Sequence, residues 1–120
     1  MTAPPPYQAR HLIADLHGCS FLADAEVIRS AMLAAAAAAD ATVIDCRLHS
    51  FGSGQGITAV LMLAESHMTI HTWPEHGYAA VDIFMCGGRH DLDLALSRIE
   101  QALGPERVVR RELMRDHAPA

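Results

Sequence analysis

Residues 65–87 read ESHMTIHTWPEHGYAAVDIFMCG, and this stretch decides the fold. Two apolar runs, residues 69–73 and residues 78–86, are rich in aromatic and β-branched side chains, which favour strands. Pro74 and Gly77 lie between the two runs and are typical of a turn. The pattern therefore predicts an antiparallel β-hairpin.

The register of this hairpin brings together residues that are distant in sequence. If the chain turns midway between the two runs, Ser66 faces Met85 or Cys86, with cross-strand Cβ atoms about 5 Å apart. The hairpin therefore predicts that a hydroxyl and a thiol are neighbours. His71 follows Ser66 by five residues, so a regular strand would direct these two side chains to opposite faces. Their cooperation would need a bulge or a bend in the strand.

Composition limits the possible functions. A chain of 120 residues should form a single domain, residues 1–120, and its hydrophobic fraction of 51% favours a buried face between two copies. Nine Lys and Arg against fourteen Asp and Glu give a net charge of -5, which offers no basic surface to nucleic acid. We therefore expect a homodimer with a small-molecule substrate, cationic rather than anionic, and no nucleic-acid partner.

The cysteines and the amino-terminal residues indicate the compartment. Cys19, Cys46 and Cys86 are odd in number and have no paired spacing, which argues against disulfides and favours a reducing cytoplasm. No role follows from the sequence for Cys19 or Cys46. Residues 1–10 lack the apolar core of a signal peptide or membrane span, and we expect them to form an unstructured leader. The chain is thus expected to be cytoplasmic, without membrane association.

Periodicity predicts the elements that precede the hairpin. Residues 11–17 predict a first strand, and Asp24 is expected to cap a helix that ends by Asp40. Residues 42–51 alternate and predict a second strand. Residues 57–64 are nearly all apolar, which predicts a strand buried on both faces or at a dimer contact.

Two elements follow the hairpin. Asp91 is expected to cap a second helix, which should end at Gly104 because a glycine followed by a proline stops a helix. Residues 107–113 predict an edge strand whose charges discourage further pairing. Amphipathic helices and half-buried strands each need one apolar partner, so we expect an α+β two-layer sandwich with both helices on one face of a mainly antiparallel sheet.

Several chemical interpretations of residues 65–87 are open on spacing alone. Ser66, His71 and Asp82 could form a hydrolase triad, but no Gly-x-Ser-x-Gly elbow surrounds the serine. Cys86 could be a small core residue, or its thiol could be catalytic. Metal binding is not predicted, because the spacing of the nearby histidines matches neither a His-x-x-x-His pair on a helix nor a Cys-x-x-Cys zinc knuckle. These histidines are His67, His71, His76 and His90.

One family resemblance is specific. Residues 65–75, followed by residues 77–82 and by Cys86 and Gly87, closely resemble the small prokaryotic S-adenosylmethionine decarboxylases. The resemblance extends more weakly to residues 11–15 and to the order of the elements, so it covers most of the chain. It implies a proenzyme that cuts itself and carries a covalent pyruvoyl cofactor.

The resemblance also implies where the chain is cut. The Ser66 hydroxyl would attack the Glu65 carbonyl, and the resulting ester would eliminate to give chains 1–65 and 66–120. Residue 66 would lose ammonia and become an amino-terminal pyruvoyl group. Its ketone would form a Schiff base with the substrate amine, replacing pyridoxal phosphate as the electron sink.

Further roles come from the same resemblance. His71 would accept the proton removed during processing, because an imidazole is mostly neutral near pH 7 and can take up a proton. The Thr58 hydroxyl would support processing. Cys86 would donate the proton that replaces the lost carboxylate. Phe51 and Trp73 would sandwich the adenine, and Glu75 would accept hydrogen bonds from the ribose.

Two differences from the family pattern leave the substrate open. The chain has Gly-Ile-Thr-Ala at residues 56–59 where the family usually has Gly-Val-Ser-Gly, and the preceding loop is one residue longer. The first interpretation is decarboxylation of S-adenosylmethionine to the aminopropyl donor of spermidine synthesis. A related pyruvoyl enzyme acting on ornithine or arginine is the alternative, and an uncleaved, inactive homologue that regulates an active partner is a third.

Overall fold

Six strands and two helices form the part of the chain that the computed structural model describes, residues 8–86 and 89–116. The strands are β1 (Ala9–His17), β2 (Val43–Ser50), β3 (Ile57–Leu63), β4 (Ser66–Trp73), β5 (Tyr78–Met85) and β6 (Arg107–Arg115). The helices are α1 (Ala25–Ala38) and α2 (Leu92–Leu103).

The predicted hairpin is confirmed and lies inside the sheet. β4 and β5 pair antiparallel from His67 opposite Phe84 to Trp73 opposite Tyr78, with no shift of register. A single 3-10 turn, Pro74–His76, connects them, and Gly77 closes it with a left-handed backbone. The whole sheet is antiparallel, in the order β2-β3-β4-β5-β1-β6.

Both helices cover the same face of the sheet, so the predicted α+β two-layer sandwich is confirmed. Asp24 caps α1 by accepting hydrogen bonds from the amides of Glu26 and Val27. Asp91 caps α2 by accepting a hydrogen bond from the amide of Leu94. Gly104 ends that helix with a left-handed backbone conformation. Neither helix of the described chain is long and apolar enough to cross a membrane.

Alternation along the strands separates the core from a second, uncovered face. Alternate side chains of β1, β3, β4 and β5 are buried beneath the helices, among them Leu12, Leu61, Ile70 and Ile83. The intervening side chains point away from the helices. We call this second surface the open face; from β1, β3, β4 and β5 it carries His11, Ile13, Asp15, His17, Thr58, Val60, Met62, His67, Thr69, His71, Trp73, Tyr78, Ala80, Asp82 and Phe84.

Two sequence predictions need correction. Of the two alternatives for residues 57–64, burial on both faces is wrong for the single chain, because the helices cover only one side of β3 and leave Val60 39% and Met62 55% exposed. The other alternative, a dimer contact, stays a prediction. β1 begins at Ala9, so Ala9 and Arg10 belong to the sheet and not to an unstructured leader. Residues 1–7 of the expected leader lie outside the described residues, as do Gly87 and Gly88.

The packing of α1 predicts a contrast between two neighbouring residues. Met32 is fully buried, whereas Leu33 is 38% exposed. Met32→Ala should lower the free energy of unfolding by about 2–5 kcal/mol, because it leaves a cavity. Leu33→Ala should lower it by less than about 1 kcal/mol.

Urea unfolding in a Ser66→Ala background, at one protein concentration, compares only intact chains. Equal losses for the two variants would show that α1 does not pack on the sheet as described.

Candidate active site

The bond between Glu65 and Ser66 lies in a tight turn. Residues 64 and 65 alone connect β3 to β4, since Leu63 is opposite Ser66 in the sheet. Glu65 adopts a φ of 69°, a left-handed conformation that costs a non-glycine residue about 1–2 kcal/mol. The predicted cleavage site is thus a strained peptide in a turn.

The Ser66 hydroxyl is enclosed. Ser66 lies on the helix side of β4, in line with the buried side chains of Met68 and Ile70. Its Oγ is buried and has no hydrogen-bond partner within the described residues. A buried hydroxyl without a partner is unfavourable, and its lone pairs are not engaged elsewhere. Burial of this hydroxyl therefore costs stability and does not contribute to it.

Cys86 lies at the same end of the hairpin. The last pair of the β4–β5 ladder is His67 with Phe84, so Ser66 and Met85 are the next residues on the two strands, and Cys86 follows directly. Cys86 is only 8% exposed. The register therefore puts Met85 next to Ser66 across the two strands, one of the two partners that the sequence predicted, and Cys86 one residue further along.

His71 lies on the open face. Its Nδ1 is 3.1 Å from the Oγ1 of Thr58, the residue directly opposite on β3. With Nδ1 engaged, Nε2 is the ring nitrogen left to exchange a proton. Neither ladder of β4 shows a bulge, so Ser66 and His71 point to opposite faces and are about 17 Å apart along the strand. One copy of the chain does not bring this hydroxyl to this imidazole.

A pocket of about 340 Å³ occupies the turn end of the hairpin. The residues that the resemblance assigned to substrate binding and to support of processing meet there: Phe51, Thr58, His71, Trp73 and Glu75. Phe51 is 64% and Trp73 40% exposed, so each offers ring surface to a ligand. Ser66 and Cys86, at the opposite end of the hairpin, do not line this pocket.

Two residues that the sequence did not single out build this pocket. A Cβ on Gly56 would be 2.3 Å from the carbonyl oxygen of Thr72, so only glycine permits this close approach. The buried Thr72 hydroxyl donates to the carbonyl of Leu22 at 2.7 Å and accepts from the amide of Ile57 at 2.9 Å. Residues 51–56 are thereby fixed against the end of β4. The only sequence feature that could have indicated this close approach is the position of Gly56, directly before the apolar run of residues 57–64.

The hydrolase triad is not assembled in this chain. Asp82 lies 2.7 Å from the His11 ring and accepts a hydrogen bond from Thr69 at 3.3 Å, and His71 contacts Thr58 instead. Since Ser66 lies on the other face of β4, no hydrogen-bonded chain connects serine, histidine and aspartate.

Cys19 and Cys46 lie outside the residues that line this pocket. Burial raises the pKa of the Cys19 thiol to about 11, so it is protonated and unreactive at neutral pH. Cys46 accepts a hydrogen bond from Arg29 at 3.7 Å. Neither thiol contributes to the candidate site.

Comparison with known proteins identifies the family. The fold matches the crystal structure of the adenosylmethionine decarboxylase from Aquifex aeolicus with a TM-score of 0.83 and 34% identity, over 92% of each chain. A family model described as S-adenosylmethionine decarboxylase matches residues 10–116. The chain therefore belongs to the S-adenosylmethionine decarboxylase family.

Curated relatives agree. An S-adenosylmethionine decarboxylase proenzyme from Pelotomaculum thermopropionicum is 40% identical over 112 residues, which are 92% of this chain and 88% of that protein. The protein of the same name from Caldicellulosiruptor saccharolyticus is 44% identical over 108 residues, covering 88% of this chain and 86% of its own length.

Strain at Glu65 predicts an effect on self-cleavage. Glu65→Gly adopts a positive φ at little cost, so it should stabilise the intact precursor and slow cleavage, by up to about tenfold for 1.4 kcal/mol of released strain. Glu65→Ala is the matched control, because it removes the carboxylate but keeps the Cβ that causes the strain. Appearance of the two chains on a denaturing gel after translation measures both rates. Equal rates for the two variants would show that backbone strain plays no part.

Proposed function

We propose that this protein is a cytoplasmic, pyruvoyl-dependent S-adenosylmethionine decarboxylase, which produces the aminopropyl donor for spermidine synthesis. One observation carries the proposal: the buried Ser66 hydroxyl, which has no hydrogen-bond partner among residues 8–86 and 89–116, lies beside a strained peptide in a chain whose relatives are named proenzymes. A serine hydroxyl without a hydrogen-bond partner in the described residues is free to attack the neighbouring carbonyl, which is the first step in forming the pyruvoyl cofactor.

Self-cleavage follows from this local chemistry. Ser66 Oγ attacks the carbonyl carbon of Glu65, and the peptide bond becomes an ester as the nitrogen takes up a proton. Removal of the Ser66 α-proton then breaks the bond between Cβ and Oγ, so that Glu65 leaves as a carboxylate. Addition of water and loss of ammonia convert residue 66 to the pyruvoyl group. The products are chains 1–65 and 66–120.

The pyruvoyl group supplies an electron-withdrawing ketone in place of pyridoxal phosphate. The other roles belong to residues of the chain. His71, oriented by Thr58, accepts the α-proton during processing through the ring nitrogen that Thr58 leaves free. Cys86 donates the proton to the substrate carbon that has lost carbon dioxide.

The pocket at the turn end fits the substrate. A flat adenine can lie against the exposed rings of Phe51 and Trp73, and each stacking contact contributes about 1 kcal/mol beyond burial. Glu75 can accept hydrogen bonds from the two ribose hydroxyls. The net charge of -5 favours approach of the cationic sulfonium. The relatives reported above are named for S-adenosylmethionine and not for ornithine or arginine.

Homodimerisation would complete the site. In one copy, His71 and the pocket are about 17 Å along β4 from Ser66 and on the other face. A two-fold axis between two open faces would bring the turn end of one hairpin toward the Ser66 end of the other. The imidazole of the second copy would then approach the main chain of Ser66, which carries the α-proton, while the Ser66 hydroxyl stays on the helix side. The exposed apolar side chains Val60, Met62 and Leu113 would be covered in the same contact. We infer that the pocket of one copy serves the partner's residue 66.

Processing and substrate choice test the proposal together. The purified protein should separate, under denaturing conditions, into chains 1–65 and 66–120, whereas Ser66→Ala should remain one chain because it has no nucleophile. Released carbon dioxide should appear with S-adenosylmethionine and not with ornithine or arginine.

Two outcomes would contradict it. An uncut protein that decarboxylates only after pyridoxal phosphate is added would exclude the pyruvoyl group. Turnover of ornithine or arginine without turnover of S-adenosylmethionine would keep the pyruvoyl chemistry but exclude the substrate.

A mixed dimer tests the shared site. Ser66→Ala and His71→Ala chains carrying different tags should each remain largely uncut when produced alone. When produced together, the His71→Ala chain should be cut, because the partner's His71 serves its Ser66, while the Ser66→Ala chain stays whole.

Isolation of the doubly tagged dimer before mass analysis ensures that both chains are in one particle. A doubly tagged dimer in which neither chain is cut would place His71 and Ser66 of one site in the same copy. Absence of any doubly tagged particle would contradict the homodimer.

A further inference from the structure

Three rings form a continuous stack across the open face. The ring of Trp73 on β4 lies against the ring of Tyr78 on β5, with centroids 5.1 Å apart and planes 22° from parallel. The ring of His17 on β1 covers the other side of Tyr78 at 5.3 Å and 21°. Both pairs are directly opposite each other in the sheet, so the backbone register sets the stack. We call these three residues the ring stack.

Tyr78 is also anchored at its hydroxyl. The phenol donates a hydrogen bond of 2.7 Å to a carboxylate oxygen of Asp15, which lies on β1 two residues before His17. This bond and partial burial raise the pKa of Tyr78 to about 12, so at neutral pH the hydroxyl keeps its proton and can donate. The ring is therefore held from both flat sides and from its tip.

Trp73 needs such a support. It is the last residue of β4, directly before the 3-10 turn, and it is 40% exposed. Tyr78 covers one side of the indole, so only the side away from Tyr78 can stack on a ligand in the pocket. Ordering a free side chain on binding costs about 0.5–1.5 kcal/mol, and a ring that is already fixed avoids this cost.

We propose that Tyr78 is a positioning residue for the substrate pocket: anchored on Asp15, its ring fixes the indole of Trp73 so that the free side of Trp73 faces the adenine. The inference rests on the proposed function and adds a residue that does not touch the substrate. Asp15 acts through Tyr78 in the same way.

Four variants separate the ring from its anchor. Tyr78→Leu removes the ring, and Tyr78→Phe keeps the ring but loses the hydrogen bond. Asp15→Ala also loses that bond, whereas Asp15→Asn retains a carbonyl oxygen that can accept it and should restore wild-type behaviour. Tyr7→Phe, which changes the only other tyrosine of the chain, is the matched control.

Kinetics give the first readout. Tyr78→Leu should raise KM for S-adenosylmethionine at least fivefold, with kcat and the extent of self-cleavage within twofold of wild type. Tyr78→Phe and Asp15→Ala should raise KM about twofold to threefold. Asp15→Asn and Tyr7→Phe should match the wild type, since they keep the acceptor and the ring stack.

Fluorescence gives the second readout, and it needs no substrate. Trp73 is the only tryptophan of the chain, so acrylamide quenching reports on its indole alone. Quenching should increase at least twofold in Tyr78→Leu, less in Tyr78→Phe and Asp15→Ala, and not in Asp15→Asn. The Ser66→Ala precursor can be used as a second background, because the stack is present in the uncut chain.

The two readouts distinguish the two proposals. Wild-type KM and wild-type quenching in both Tyr78→Leu and Tyr78→Phe would overturn the positioning role. If wild-type protein does not use S-adenosylmethionine but quenching follows the expected order, Tyr78 still positions Trp73 and only the proposed substrate is wrong.

Discussion

The uninterrupted pairing of β4 with β5 is the constraint on which the rest of the structure depends. From His67 to Trp73 the two strands keep one register, and the neighbouring β3 pairs with β4 equally regularly. A strand without a bulge has a strict period of two, so every second side chain must enter the core beneath the helices. The remaining side chains of the same strands are left to form a chemical surface.

This regularity divides the candidate site into two halves. Ser66 and Cys86 lie at one end of the hairpin, and the pocket that contains Phe51, His71 and Trp73 lies at the other. A bend in β4 could have joined the halves within one chain, but it would have disturbed the buried row that includes Met68 and Ile70. In the proposed homodimer a second copy would join them without such a cost, and it would also cover apolar side chains that the helices cannot reach.

Much of the fold could be predicted from the sequence because its signals are local. The hairpin, both helix caps and the glycine that ends α2 each depend on a few neighbouring residues. For residues 57–64 the sequence predicted burial on both faces or a dimer contact, because an all-apolar strand indicates burial but not whether helices or another copy cover each face. The structure excludes only burial on both faces of the single chain.

The candidate site was predictable in part, and for a different reason. The resemblance assigned roles to Phe51, Trp73 and Glu75, and the structure places these residues around one pocket. The hydrogen bond between Tyr78 and Asp15, which is the proposed support of Trp73, was missed because it joins residues 63 positions apart. Contacts of that kind depend on how β1 inserts next to β5, which no short sequence pattern determines.

In the proposed mechanism residue 66 becomes a carbonyl group, and the carbonyl reagent phenylhydrazine can detect that group. Mass spectrometry of the separated chains, before and after treatment, locates the label. We expect one phenylhydrazone on residues 66–120, none on residues 1–65, and loss of decarboxylase activity in proportion to labelling. An active protein that takes up no label on residues 66–120 would contradict it.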